Sequence, residues 1–287
     1  MEIPKIQWYP GHIAKAEKKL SEIINRVDLI IEVRDARIPA STGHRHLSKW
    51  IKDKKHLLVV NRSDMISNSS IEIWTNWFKQ KGIDPLWCNS KQGIGIKEII
   101  KSATKLRTSI DDRRLSRGMK IRPIRALMLG FPNVGKSALI NRIANKKIVE
   151  SARKAGVTRN LRWVRVGNGI DLLDAPGVIP PDLDDQKAAL NLAICDDIGE
   201  AAYDKEIVAK EFIKILLRLY EKNTYTIPIN KISQRYGINL LEGFVDPDRW
   251  IIDSANKHTG GDTKRMANKL LEDFRNQMLG NFSIEAP

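Results

Sequence analysis

The chain is 287 residues long, enough for two domains, and its 42% hydrophobic and 29% charged residues are a soluble globular balance. No apolar run reaches bilayer length, and the opening MEIPKIQWYPGH lacks the apolar core of a secretory signal, which argues against a membrane or exported protein and for a cytoplasmic one. The formal net charge is +15, and residues 1–184 hold 35 Lys+Arg against 18 Asp+Glu while residues 185–287 hold 14 against 16, so the first two-thirds either meets a polyanion such as nucleic acid or has a merely basic surface.

Residues 14–26, AKAEKKLSEIINR, have the period of an amphipathic helix. Strand-like apolar runs follow at 29–33, 56–61, 85–88, 124–129, 161–166 and 170–174, mostly separated by helical stretches. Such alternation predicts an α/β fold with a mostly parallel sheet covered on both faces. The last two runs are joined by GNG, which predicts a tight hairpin and one antiparallel edge. Within IEIWTNWFKQKG, Trp74, Trp77 and Phe78, like Trp8 and Tyr9, are candidates for base stacking, but the spacing of Ile71, Trp74 and Phe78 favours a packing stripe. Lys105 to Arg125 is basic and without period, and reads as a solvated linker. Cys88 and Cys195 match no zinc or redox spacing and read as small core residues.

Beyond Gly177 the Pro-broken VIPPDLDDQ leads into helical patterns at 204–223 and 260–280. The first places Ile207, Val208, Phe212, Ile215, Leu216 and Leu219 on one stripe. The expected organisation is an α/β domain over residues 1–180 and a small all-helical domain over 185–287. Lys264, Arg265, Lys269 and Arg275 on the closing helix are either an RNA-contacting face or a solvated surface.

GFPNVGKS, residues 130–137, fits the phosphate loop G-x-x-x-x-G-K-[ST], and it follows a strand and opens a helix as that motif requires. Its backbone at Asn133, Val134, Gly135, Lys136, Ser137 and Ala138 would cradle phosphates. Lys136 would neutralise the β- and γ-phosphates, and Ser137 would hold Mg²⁺. DAPG, at 174–177, ends a strand, so Asp174 can reach Mg²⁺ through water and the Gly177 N–H can reach a γ-phosphate. In NRSD (Asn61, Arg62, Ser63, Asp64), the Asp64 carboxylate can accept from N1–H and the 2-amino group of guanine, a pattern adenine lacks, while Asn61 would hold the loops together. CNSKQG adds Asn89, Ser90 and Lys91, a loop whose amides could meet guanine O6. The guanine reader precedes the phosphate loop, the reverse of the usual GTPase order.

These motifs, with WYPGHIAKA, DARIP, GVTRN and LLEDFRNQMLG, resemble a circularly permuted P-loop GTPase of the YlqF family, the bacterial ribosome-biogenesis GTPases. The resemblance spans most of the chain. It departs at Arg62, where the family usually has Lys; a guanidinium plane can also stack on a base, so guanine preference is expected to survive. The resemblance implies GTP hydrolysis to GDP, coupled through rRNA to assembly of the large ribosomal subunit, by a monomer with no membrane attachment. Another RNA or ribonucleoprotein target, or a nucleotide-gated RNA-binding factor without turnover, are the alternatives.

Resemblance also implies that Thr158 joins the Mg²⁺ shell as a switch residue, against the plainer reading of a loop threonine. Val178 occupies the position at which many GTPases carry a water-positioning Gln. The resemblance offers His12 instead, while the plain reading has His12 starting a helix or touching RNA. Asn133 matches an asparagine that in related GTPases helps coordinate potassium. In the permuted order the chain leaves the GTPase domain just after Gly177, so GTP and GDP are expected to set two orientations of the helical domain.

Overall fold

A computed structural model describes residues 6, 23–43, 47, 51, 54–148, 162–166, 169–174, 185–223, 227–241 and 246–287. Six strands form one sheet: β1 (Leu29–Asp35), β2 (Lys55–Asn61), β3 (Pro85–Trp87), β4 (Ile124–Leu129), β5 (Arg162–Arg165) and β6 (Ile170–Asp174). Their order across the sheet is β3-β2-β1-β4-β6-β5. All neighbours run parallel except β5, which lies antiparallel on β6 with Trp163 opposite Leu173. Each of the six apolar runs is a strand, and the hairpin edge is where GNG predicts it.

The central strands read as near-continuous apolar runs because both faces are covered. Alternate residues point to opposite faces. Leu29, Ile31 and Val33 of β1 join the main core, while Ile30 packs with Leu127, Leu129 and Leu173 on the other side. Helix α1 (Asn68–Gln80) is capped by Ser67, whose hydroxyl accepts from the Ser70 N–H at 3.2 Å. It buries Trp74 and Phe78 against Leu58 and Val60. The aromatic trio is thus a packing stripe, with Trp74 edge-on to Trp77 at 5.2 Å.

The basic stretch after Lys105 is a departure from expectation. Helix α2 (Ile96–Lys105) is followed at once by α3 (Arg107–Leu115), so this is not an irregular linker. Only Ile110 of α3 is buried, which is why no apolar period announces it. Local polar bonds support it instead: Arg107 pairs with Asp111 at 3.3 Å, and the Arg114 guanidinium donates to the Lys120 carbonyl. Arg122 then pins the segment to Asp28 at 2.7 Å.

Helix α4 (Lys136–Ile143) follows β4. After β6 the described elements are helical: α5 (Gln186–Cys195), α6 (Lys205–Glu221), α7 (Ile229–Tyr236), α8 (Pro247–His258) and α9 (Thr263–Arg275), with one short 3₁₀ turn. Asp185, Asp204, Asp246 and Asp262 each cap a helix start through side-chain acceptance of backbone N–H groups. The α6 stripe is buried at Val208, Phe212, Ile215, Leu216 and Leu219, with Ile207 only half-buried. These helices share one unbroken apolar core with the sheet, which runs from Ile31 and Met128 through Leu192 to Phe212 and Phe274. Asp273 of α9 ties the helices together: it accepts from the Tyr236 hydroxyl at 2.7 Å and from Arg235 at 2.6 and 2.7 Å.

Of the helix expected over 14–26, only residues 23–26 are described. Cys88 and Cys195 are free and buried, and burial pushes both thiols up, Cys88 to about 12. Among the described residues no helix is long and apolar enough to cross a membrane.

Candidate nucleotide-binding site

The loop between β4 and α4 has the path a phosphate loop needs. Gly130 passes so close to β1 that a Cβ there would lie 2.4 Å from the Val33 carbonyl oxygen. Gly135, at φ +99°, caps α4 in a left-handed conformation that side-chain-bearing residues avoid. The first-turn N–H groups of α4 have no partner within the helix, so this end is suited to an anion. Lys136 is 6% exposed, and its ammonium donates to Gly130 O at 3.0 Å and Phe131 O at 2.7 Å. Burial lowers its pKa to about 8, opposed by Asp174 and Asp197. Arriving phosphates would restore its full charge. Ser137 and Ala138 are half-buried in the same first turn, and Asp174 is buried at the end of β6.

Asn61, at the end of β2, joins three loops. Its amide donates to Val134 O at 2.9 Å in the phosphate loop, and its Oδ1 accepts from the Ser90 N–H at 3.0 Å and the Cys88 thiol at 3.4 Å. Arg62, at φ +62°, opens the 3₁₀ turn Ser63–Met65. Its guanidinium donates to Asn133 O and pairs with Asp35 at 3.1 Å. Asp64 is half-buried in that turn, and the described residues give its carboxylate no hydrogen bond. Its charge reaches Cys88, which places it beside the CNSKQG loop.

In that loop the amides stand differently from expectation. The Ser90 N–H is given to Asn61, and the Lys91 and Gln92 N–H groups are given to Asn89 Oδ1 at 3.0 Å each. A guanine oxygen would have to share these donors as a second acceptor. Arg142 of α4 fastens the loop from below, donating to Ser90 O at 3.1 Å and to Lys91 O. Asn133, at φ +56°, donates its side-chain amide to Asp196 O at 2.7 Å, which links the phosphate loop to the end of α5. His12, Thr158 and Gly177 lie outside the described residues.

Several residues at this site were given no role by the sequence, although Asp35 and Arg37 lie within the DARIP motif. Asp35 binds Arg37 through a fork of 2.8 and 3.0 Å, and Arg37 continues to Cys195 O at 2.9 Å. Burial would raise the Asp35 carboxyl, but Arg37 and Arg62 outweigh it and hold it below its usual range. Asp197 is fully buried, neither carboxylate oxygen has a hydrogen-bond partner among the described residues, and burial beside Asp35 pushes its pKa up to about 8. The left-handed residue Asp196 ends α5 and turns Asp197 inward. A D-D pair after an apolar helix is its only trace in the sequence.

A phosphate loop at the head of a mostly parallel sheet, tied by Asn61 to the NRSD and CNSKQG loops that precede it in the chain, defines a P-loop GTPase of permuted order. The chain is 32% identical to ribosome biogenesis GTPase A of Bacillus cereus, covering 98% of this chain and 94% of that one, and 32% identical to its namesake in Priestia megaterium, covering 98% and 97%. It belongs to the ribosome biogenesis GTPase A family of circularly permuted GTPases. A family model described as 50S ribosome-binding GTPase matches residues 125–231. Among solved structures, GDP-bound YlqF superposes with a TM-score of 0.66 at 20% identity, covering 94% of this chain and 99% of that one. GNP-bound YlqF from T. maritima does so at 0.61 and 21%, covering 95% and 98%. The protein is a GTPase, and its nucleotides are GTP and GDP.

Proposed function

We propose that GTP hydrolysis by this chain is coupled to maturation of the large ribosomal subunit through contact with rRNA. The observation that carries the reading is the charge division: 35 basic against 18 acidic residues in 1–184, and a slight acidic excess beyond. A basic surface on the nucleotide-binding part is what a polyanionic partner requires. The names of the relatives and of the matching family model point the same way. In this reading residues 1–180 are the GTPase domain, residues 185–287 the helical domain, and the GTP state docks while hydrolysis releases.

Asp64 would read guanine and Asn61 would hold its loop. The donor set for Mg²⁺ fits: a hydroxyl oxygen from Ser137, and through water a carboxylate from Asp174, which acts electrostatically on Lys136, are hard oxygen donors of the kind the ion takes, the remainder coming from phosphate and water. The ion would neutralise charge developing on the phosphates. Thr158 would complete that shell, His12 would orient water, and Asn133 would serve a potassium ion through its side-chain oxygen.

The test is co-sedimentation with purified large and small ribosomal subunits at one fixed salt concentration, with a non-hydrolysable GTP analogue, with GDP and with no nucleotide. Pelleting with the large subunit, and only with the analogue, is expected. Equal pelleting with both subunits in every state would mark the charge as nonspecific and end the ribosomal assignment.

A further inference from the structure

The short turn that carries Asp64 is held from the far end of the chain. The Asp64 backbone carbonyl accepts from the Gln277 side-chain amide at 2.7 Å and from the Asn281 side-chain amide at 3.0 Å. A three-residue 3₁₀ turn cannot supply those partners itself. Two donors on one carbonyl occupy both lone pairs and fix the peptide plane after Asp64, and with it the direction of the Asp64 side chain. The other side of the turn is set by the Ser63 N–H on Cys88 O at 3.0 Å.

The donors are themselves anchored. Gln277 sits at φ +63°, a conformation that costs a non-glycine residue, just after α9. Further on, the Ser283 hydroxyl and the Ile284 N–H both donate to Arg37 O, at 2.9 and 3.0 Å. The buried Glu285 carboxylate accepts from the Ala40 N–H at 2.8 Å, from the Ser41 N–H and hydroxyl, and from Asn191 at 3.0 Å. The segment 277–285 therefore spans from the guanine-reading turn to the loop after β1.

We propose that Gln277 and Asn281 are positioning residues for guanine recognition, aiming the Asp64 carboxylate through its own backbone. This rests on Asp64 reading the base, and the experiment separates the two. GDP and inosine diphosphate differ only in the 2-amino group that Asp64 would accept from. Their dissociation constants are measured for wild type, Asp64→Ala, Gln277→Gly and Asn281→Ala, alongside thermal melting without nucleotide. Glycine is at ease at φ +63°, so Gln277→Gly keeps the backbone while removing the donor. Asn281 is exposed, so its truncation leaves the fold intact if Gln277→Gly melts early.

Asp64→Ala is expected to abolish the preference for GDP. Gln277→Gly and Asn281→Ala are expected to reduce it about fivefold each, the worth of about one hydrogen bond, at a melting temperature near wild type. If Asp64→Ala leaves the preference intact, the base-reading role itself fails. If Asp64→Ala abolishes it while the folded Gln277 and Asn281 variants leave it unchanged, or weaken both nucleotides equally, the positioning role is overturned.

Discussion

Replacing Gly135 with alanine should disable the site through a collision with one identifiable atom. A Cβ at this position would lie 2.2 Å from Asn61 Nδ2, well inside contact distance. Asn61 is 2% exposed and cannot swing into solvent. Its displacement would take the amide off Val134 O and the oxygen off the Ser90 N–H. Each buried group left without a partner costs about 1–3 kcal/mol. Holding alanine at φ +99° adds about 1–2 kcal/mol. With both Asn61 groups unpaired the total is about 3–8 kcal/mol, read as a lower urea midpoint and as GDP binding weakened at least about a hundredfold. Urea unfolding and titration of a fluorescent GDP analogue measure both. The discriminating experiment is a double-mutant cycle with Asn61→Ala. Once the side chain it strikes is gone, Gly135→Ala should cost only the left-handed term, about 1–2 kcal/mol. Additive costs in the cycle would refute the collision.

Two further variants probe buried polar groups, one close enough to the phosphate loop to act on Lys136 and one among the helices. Asp197 has a folded-state pKa raised to about 8 by burial and by Asp35, so wild type must release that proton on unfolding at neutral pH and loses stability as pH rises from the unfolded value toward 8. Asp197→Asn should therefore melt higher than wild type at pH 9, with the gap closing below pH 4; parallel melting curves across that range would contradict the assignment. Tyr236→Phe removes the hydroxyl that donates to Asp273 and should cost about 1–2 kcal/mol in urea unfolding while leaving GDP affinity unchanged.

The strands were legible because a parallel sheet buried on both faces forces apolar residues into consecutive positions, as in LIIEV and IRALML. The phosphate loop was legible because Gly130, Gly135, Lys136 and Ser137 fall within eight consecutive residues between a strand and a helix, although the contacts that require the glycines, with Val33 O and Asn61, lie far along the chain. Helix α3 was missed because it buries only Ile110 and relies on Arg107–Asp111 and Arg114–Lys120, bonds that leave no hydrophobic period. The roles of Arg37 in DARIP, of Arg142, of Asp197 and of the segment 277–285 that begins within LLEDFRNQMLG were missed for a different reason. Their partners lie far along the chain, as with Arg37 and Cys195, 158 positions apart, and a pattern read within a short window cannot pair them. The amides of Ser90 and Lys91 were read as donors for guanine O6, and their commitment to Asn61 and Asn89 depends on side-chain positions that spacing alone does not give.

The hold of Glu285 on Ala40 and Ser41 has a bearing on how the protein is made. The carboxylate that fixes this loop follows Ser41 by 244 positions, so at about 5–20 residues per second the loop waits roughly 12–50 s for its partner during synthesis. Asn61 meets Val134 much sooner, after 73 positions and roughly 4–15 s. The nascent chain thus assembles its phosphate and base loops early and gains the outer brace last. Over that interval the turn that carries Asp64 exists without Gln277 and Asn281, and a nucleotide captured then would meet a looser site than the finished protein offers.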